Sequence, residues 1–251
     1  MLIDAHVHLT DDELFILKDQ VLEMLNNLDI IALSVSMDLK SSIRNLDLLS
    51  DRVLPFIGIH PWVDYEDVDK FMEFAIKNID KVYGIGEIGL DRKYVNNEES
   101  YNKQKDIFIK MLELAESYNK PISVHSRGSS LNDIFNILSS YNLSVLLHWF
   151  SGNKRDLKKA MDNDYYISYG PALLYANDKP SLLLESNLDL ILIETDGPVR
   201  YARCFENHIA LPSYLISVAY TVSNILNIEY NELCNRLVSN TYRYLKIDRI
   251  K

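Results

Sequence analysis

Cysteine is nearly absent. Cys204 and Cys234 are the only two in 251 residues, too few and too far apart for a disulfide framework or a cysteine-based zinc site, so two reduced thiols are expected. Long apolar runs are missing as well: no uninterrupted stretch approaches the ~18–20 residues of a membrane span, and no membrane association is expected. Met1-Leu2-Ile3-Asp4 leads straight into the first strand-like run, leaving no room for a basic region and apolar core of a signal, so the cytoplasm is the expected location. The eight glycines and seven prolines are scattered. With no low-complexity segment, linker or long charge run to cut at, residues 1–251 are read as one domain. Positive charge is also short, with 26 Lys and Arg against 36 Asp and Glu, a net charge of −10. That gives a poor overall field for a polyanion, so any nucleic-acid contact should be local and centred on bound cations, which reverse the sign inside a site.

A chain of ~250 residues is typical of a single (β/α)8 barrel and long enough to bury about 70–75% of its extended surface, so stability needs no disulfide or structural zinc. Strand-like runs occur at about 2–9, 30–36, 53–60, 82–90, 121–126, 144–149, 165–170 and 190–196, many rich in Ile, Val and Leu and apolar on both faces. Runs of that kind suit parallel strands covered by helices. Helical patterns lie between them. The first opens with Thr10 and Glu13 as a capping box and continues through Leu14, Leu17, Val21, Leu25 and Leu28. The longest, after the fourth run, carries Tyr101, Phe108, Met111, Leu112 and Ala115 on one face, and 213–246 reads as the closing helix plus an extra C-terminal one. Asp11-Asp12-Glu13 and Glu66-Asp67 look like acidic first turns. Eight units of ~31 residues match a minimal βα repeat. An open doubly wound sheet remains possible, but its glycine fingerprint after the first strand is missing and a histidine pair stands there instead. The expected fold is α/β, a single (β/α)8 barrel with an extra C-terminal helix.

Six residues of metal-ligand type, His6, His8, Glu87, His125, His148 and Asp196, sit at the downstream ends of these runs. Imidazole with carboxylate suits Zn, Mn, Fe or Mg. His6 and His8, one residue apart on a strand, leave the same face and can reach one ion; a lone lumen histidine would more often be a hydrogen-bonded structural residue. Glu87 lies in Gly-Ile-Gly-Glu-Ile-Gly-Leu, where an ionised carboxylate is costly unless neutralised, by metal or by a buried pair with Arg92 or Arg127. His125 and His148, on neighbouring strands, make a natural second ligand pair, although each alone could be a satisfied core histidine. Barrel closure brings Asp196 beside His6 and His8, where it can bind an ion and take a proton from water; Glu194 is assigned a supporting role.

These residues also carry a resemblance. The strings His6-x-His8, Gly58-Ile59-His60-Pro61, Gly86-Glu87-Ile88-Gly89-Leu90-Asp91, His125-Ser126-Arg127, His148-Trp149-Phe150-Ser151-Gly152 and Glu194-Thr195-Asp196-x-Pro198 together resemble the TatD family, metal-dependent deoxyribonucleases of the amidohydrolase superfamily. The resemblance covers nearly the whole chain and reaches Asn240-Thr241 and Arg243, similar to a family Asn-x-x-Arg motif. It implies a (β/α)8 barrel in which His6, His8 and Asp196 hold one metal, His125 and His148 the other, and Glu87 bridges. Gly197 stands where many relatives carry a small side chain, and the loop Val199-Arg200-Tyr201-Ala202-Arg203-Cys204 resembles archaeal-type variants more than bacterial members.

Around the ligands, His60 reads as a phosphate or leaving-group contact or else a structural residue beside Pro61, and Arg127 as a phosphate clamp. Trp62, Trp149 and Phe150 either stack bases or roof the barrel. His208, in a polar loop, is not expected to be a ligand. The expected function is metal-assisted phosphodiester hydrolysis with one or two divalent ions (Zn, Mg or Mn). Asp196 would be general base, Glu87 and His60 would take part in catalysis, and His60, Arg127 and Trp149 would bind substrate. DNA ends or short single-stranded DNA are the expected substrate, with no obligate protein partner. An amidohydrolase or phosphotriesterase-like enzyme acting on a small ester, lactone or amide is the alternative. Its relatives often bridge the metals with a carbamylated lysine on strand four, where this chain offers only Lys81 at the start. A non-catalytic metal-binding protein on a retained barrel is the third reading.

Overall fold

The computed structural model describes residues 1–62 and 67–248. Eight strands, β1 (Leu2–Val7), β2 (Ile30–Ser34), β3 (Val53–Ile57), β4 (Gly84–Leu90), β5 (Ile122–Ser126), β6 (Val145–Leu147), β7 (Tyr166–Tyr169) and β8 (Ile191–Ile193), pair in parallel in sequence order. Every strand residue is buried, as expected of parallel strands with apolar groups on both faces. β8 lies beside β1. The joint is made just past the strands, where Asp196 N donates to His6 O at 2.9 Å and His8 N donates to Gly197 O at 2.8 Å. The result is a nearly closed (β/α)8 barrel.

Helices α1 (Asp12–Phe15), α2 (Lys18–Asn27), α3 (Leu39–Asp47), α4 (Val68–Asn78), α5 (Glu98–Ser117), α6 (Leu131–Leu138), α7 (Lys154–Asp162), α8 (Lys179–Glu185), α9 (Tyr214–Leu226) and α10 (Tyr230–Leu245) lie between and after the strands. Their starts are set by short polar side chains that satisfy first-turn N–H groups: Asp38, Asn97 and Asn153 each complete a capping box. The first helix differs from expectation. Its cap is Asp11, whose side chain accepts from Glu13 N, while Thr10 is buried. The helix also breaks after Phe15, so Leu14 belongs to one short helix and Val21 and Leu25 to the next. Leu28, expected on the buried stripe, is 37% exposed. Asp67 caps α4 from outside its first turn, and Glu66 lies outside the described residues. Both cysteines are free, Cys204 exposed and Cys234 buried. Among the described residues no helix is long and apolar enough to cross a membrane.

Two apolar clusters divide the interior. The larger lies between strands and helices and takes in Leu2, Ile30, Val53, Ile122 and Ile191. The smaller takes alternate residues, Ile3, Ala5, Leu33, Phe56, Leu146 and Leu192, with Tyr244 and Leu245 of α10. The lumen is thus filled from the N-terminal end of the barrel and closed there by the last helix. The candidate ligands gather toward the C-terminal ends of the strands, the usual address of a barrel site. Both strands that carry the strongest ligand candidates are irregular: β1 shifts register between Asp4 and Val7, and β4 between Ile85 and Ile88. Such shifts re-aim side chains next to a site.

Candidate metal centre

Glu87 stands at the middle of the rim, 2% exposed, and its two carboxylate oxygens face different histidines. Oε2 lies 3.5 Å from His6 Nε2 and 3.3 Å from His8 Nε2. Oε1 lies 2.8 Å from His125 Nδ1, 2.7 Å from His148 Nε2 and 3.2 Å from His60 Nε2. Asp196 Oδ1 closes the first group at 3.6 Å from His6 Nε2 and 3.4 Å from His8 Nε2. The rings of His6 and His148 stack at 3.7 Å, which also places His6, His148 and Asp196 within reach of one ion. The six expected ligands therefore meet in one cluster, with His60 against its Oε1 side. Neither arginine weighed as a partner for Glu87 reaches it: Arg92 pairs with Glu98, and Arg127 lies over the Trp149 ring.

His60 and Asp196 sit beyond their strands and not at the strand ends, because β3 and β8 stop at Ile57 and Ile193. The turns after them are held by specific bonds. The buried Asp4 carboxylate accepts from Thr195 N at 2.9 Å and from the Thr195 hydroxyl, fixing the approach to Asp196. A Cβ on Gly197 would come 2.4 Å from Ala210 O, so a side chain at that position cannot be housed without backbone movement. Glu194 lies within the lumen with both oxygens used, Oε1 by Trp149 N at 2.7 Å and Oε2 by Ser168 Oγ. It thereby holds Trp149, whose φ of 41° is unusual for a bulky residue, and supports the turn that carries His148.

The ring nitrogens sort by their outer partners. His6 Nδ1 is 2.8 Å from Ser123 Oγ, leaving Nε2 toward the carboxylates. His125 Nε2 is 2.9 Å from Asp91 Oδ2, leaving Nδ1 toward Glu87. His60 differs. Its Nδ1 accepts the Trp62 backbone N–H at 3.2 Å, which puts the proton of a neutral ring on Nε2, and burial lowers its pKa and favours that neutral form. His60 thus points a donor, not a lone pair, into the cluster, with Nε2 at 3.2 Å from both His125 Nδ1 and Glu87 Oε1.

Sequence reading missed Asp91 and Asp4 as individual functional residues. Asp91 stood only inside a quoted motif; a carboxylate one residue past a strand that ends beside a candidate ligand was the available signal. Phe150, read as a base-stacking candidate, is 1% exposed and belongs to the core, whereas Trp62 is 46% exposed at the rim. His208 is exposed and lies outside the cluster.

The charge balance supplies the test of fit to a cation. Burial should raise the Glu87 carboxyl, but the electrostatic influence of the His60 and His148 imidazoles and hydrogen bonds from His125 and His148 hold it well below its ordinary value. Burial should likewise raise Asp196, yet His8, His148 and His6 hold it down. Asp91 and Glu87 in turn overcome burial to raise His125, and Asp196 and Glu87 overcome it to lift His8 to about 9. Two anions are thus balanced only by protons borrowed onto imidazoles. His8 Nδ1 and His148 Nδ1 remain buried without hydrogen-bond partners. Neutral imidazoles and carboxylates converging at this spacing fit a divalent cation, which would take the place of those protons.

A histidine raised in the folded state contributes stability that is complete below about pH 6.5 and is lost as pH rises through its folded value; for His8 that value is about 9. Melting temperature of chelator-treated protein is expected to fall from pH 6.5 to 9.5, and metal binding at pH 7 should release protons. Scanning calorimetry across that range checks this, and a flat profile would contradict it.

Above the cluster is a cavity of about 200 Å³ bounded by Trp62 and Tyr94 on one side and Arg127 and Trp149 on the other. The Trp62 and Tyr94 rings meet edge to face at 5.6 Å, and the Arg127 guanidinium lies 4.9 Å from the Trp149 ring.

A sequence profile of the TatD related DNase family matches residues 3–246. The chain is 28% identical to an uncharacterised metal-dependent hydrolase of Methanocaldococcus jannaschii, over 97% of this chain and 96% of the relative. It is 28% identical to a human deoxyribonuclease, TATDN3, over 78% of each chain. In three dimensions it is similar to a TatD homologue from Escherichia coli, with a TM-score of 0.89, 21% identity and 98% of each chain covered.

Proposed function

The chain belongs to the TatD-related DNase family, whose matched relatives include named metal-dependent hydrolases and deoxyribonucleases, and on that premise we propose that it hydrolyses phosphodiester bonds of DNA. The observation that carries the proposal is the division of the histidines by Glu87, two facing Oε2 and two ligand candidates facing Oε1. His6, His8 and Asp196 would hold one divalent ion, His125 and His148 a second, and Glu87 would touch both; the imidazoles suit Zn, and the carboxylates suit Mg and Mn. Bound there, such ions supply positive charge and Lewis acidity, the chemistry that draws in a phosphate and acidifies water.

The remaining work falls to this chain's own side chains. Asp196, kept ionised by its histidine neighbours, accepts a proton at its carboxylate. His60 presents Nε2–H from a neutral ring to the phosphoryl or leaving oxygen. Arg127, exposed at the rim, reaches the outer phosphate oxygens, and the Trp62–Tyr94 and Arg127–Trp149 walls take the faces of unpaired bases. The acidic chain lacks a field to hold a duplex, so strand ends and short single strands are the proposed substrate. We read the whole chain as one catalytic unit working in the cytoplasm.

The test is an assay of chelator-stripped protein on short single-stranded oligonucleotides with Mg, Mn or Zn added back, beside a panel of small esters and lactones. Metal-dependent release of nucleotides is expected. Turnover confined to the ester and lactone panel would transfer the site to the amidohydrolase chemistry and end the nuclease reading.

A further inference from the structure

Behind the ligand cluster, on the helix side of the barrel, lies a buried polar group that the proposed chemistry does not use. Gln104 of α5 is 7% exposed and sits among Phe108, Met111 and other apolar residues of its helix face. Every hydrogen bond its amide makes goes to backbone. Oε1 accepts from Asp91 N at 3.1 Å, and Nε2 donates to Asp91 O at 3.2 Å and to Pro61 O at 2.6 Å. One side chain therefore grips Asp91 at both its amide and its carbonyl, and also grips the residue after His60.

Asp91, itself 7% exposed, is held again at Oδ1 by Lys93 N at 2.8 Å, and this leaves Oδ2 for His125 Nε2 at 2.9 Å. A neutral imidazole has two tautomers, and only the one with hydrogen on Nε2 leaves a lone pair on Nδ1. The Asp91 carboxylate selects that tautomer and sets the ring plane; the same contact increases the basicity of the inward nitrogen.

We infer that Gln104 and Asp91 form a positioning relay. Asp91 fixes the tautomer and orientation of His125, while Gln104 locks Asp91 to the His60 turn so that the His125 ligand and the His60 donor keep one mutual placement. The relay rests on the reading of His125 as a metal ligand. An apolar residue at 104 would strand the Asp91 N–H and the Pro61 carbonyl without partners, which explains a polar amide in an otherwise apolar helix face.

The experiment is a calorimetric titration of chelator-stripped protein with Mn or Co, applied to the parent, Asp91→Asn, Gln104→Met and His125→Ala. Circular dichroism serves as a check that each is folded. In cobalt-loaded samples the exchangeable Nε2–H resonance of His125 is followed by proton NMR. His125→Ala should lose one of two equivalents. Asp91→Asn should keep both but bind one of them about 10- to 100-fold more weakly, with faster exchange of the His125 proton. Gln104→Met should shift the same equivalent in the same direction by a smaller factor. Parental affinity at both sites and unchanged proton exchange in Asp91→Asn, with one equivalent lost in His125→Ala, would overturn the relay alone. Two equivalents retained in His125→Ala would overturn the ligand assignment and the relay with it.

Discussion

Glu87→Gln is expected to give a folded barrel that no longer holds two ions together and cleaves oligonucleotides more than about 10³-fold more slowly than the parent. The two oxygens of Glu87 are presented to separate histidine groups, Oε2 to His6 and His8 and Oε1 to His125 and His148. A glutamine keeps one carbonyl oxygen and turns an NH2 toward the other group, so one side meets a donor where it needs an acceptor. It also removes one of the charges that raise His125 and His148, leaving Asp91 beside the first and Glu194 beside the second. Loss of metal together with retained folding separates this outcome from simple destabilisation, and metal analysis with thermal melting reads both. A variant with two ions and parental turnover would remove Glu87 from the centre.

Asp196→Asn should have a different signature. Its carboxylate faces His6 and His8, with His148 also near, and is held by the Asp4–Thr195 clamp on one side and the close-packed Gly197 turn on the other. The amide is nearly isosteric, so the turn should persist and the protein should melt near the parental temperature. Turnover should fall about 10²- to 10⁴-fold, the range lost when a positioned proton acceptor is removed. The His125–His148 group should keep its ion. The decisive comparison is kcat on a fixed oligonucleotide against metal content: unaltered kcat in Asp196→Asn would show that the proton goes elsewhere.

The barrel was legible because its strands are buried on both faces, so runs such as Leu-Ile-Leu-Ile and Ile-Ser-Val-His stand out from amphipathic helices without reference to contacts. The cluster of candidate ligands was legible because polar, metal-binding side chains at the downstream ends of such runs are costly without a partner. What sequence did not reveal depends on turns. The runs at 53–60 and 190–196 are longer than their strands, since backbone bonds across the barrel mouth bend the chain before His60 and Asp196. The donor character of His60 follows from one backbone N–H two residues on, and no periodicity encodes it. Asp91 and Gln104 lie thirteen residues apart and meet only because α5 folds back over the end of β4. The break of the first helix after Phe15 defeats the regular apolar spacing that predicted one continuous helix. Phe150, open to either role in the sequence, packs inward and leaves the stacking role to its neighbours.

The central claim is a pair of cations held on either side of Glu87 and used to cut phosphodiesters. Stepwise addition of Mn to metal-free protein, with bound metal and cleavage of a short single-stranded oligonucleotide measured at each step, tests it most directly. Saturation at two ions per chain is expected, with cleavage rising mainly as the second is bound. Saturation at two ions without cleavage, in protein shown to be folded, would contradict it.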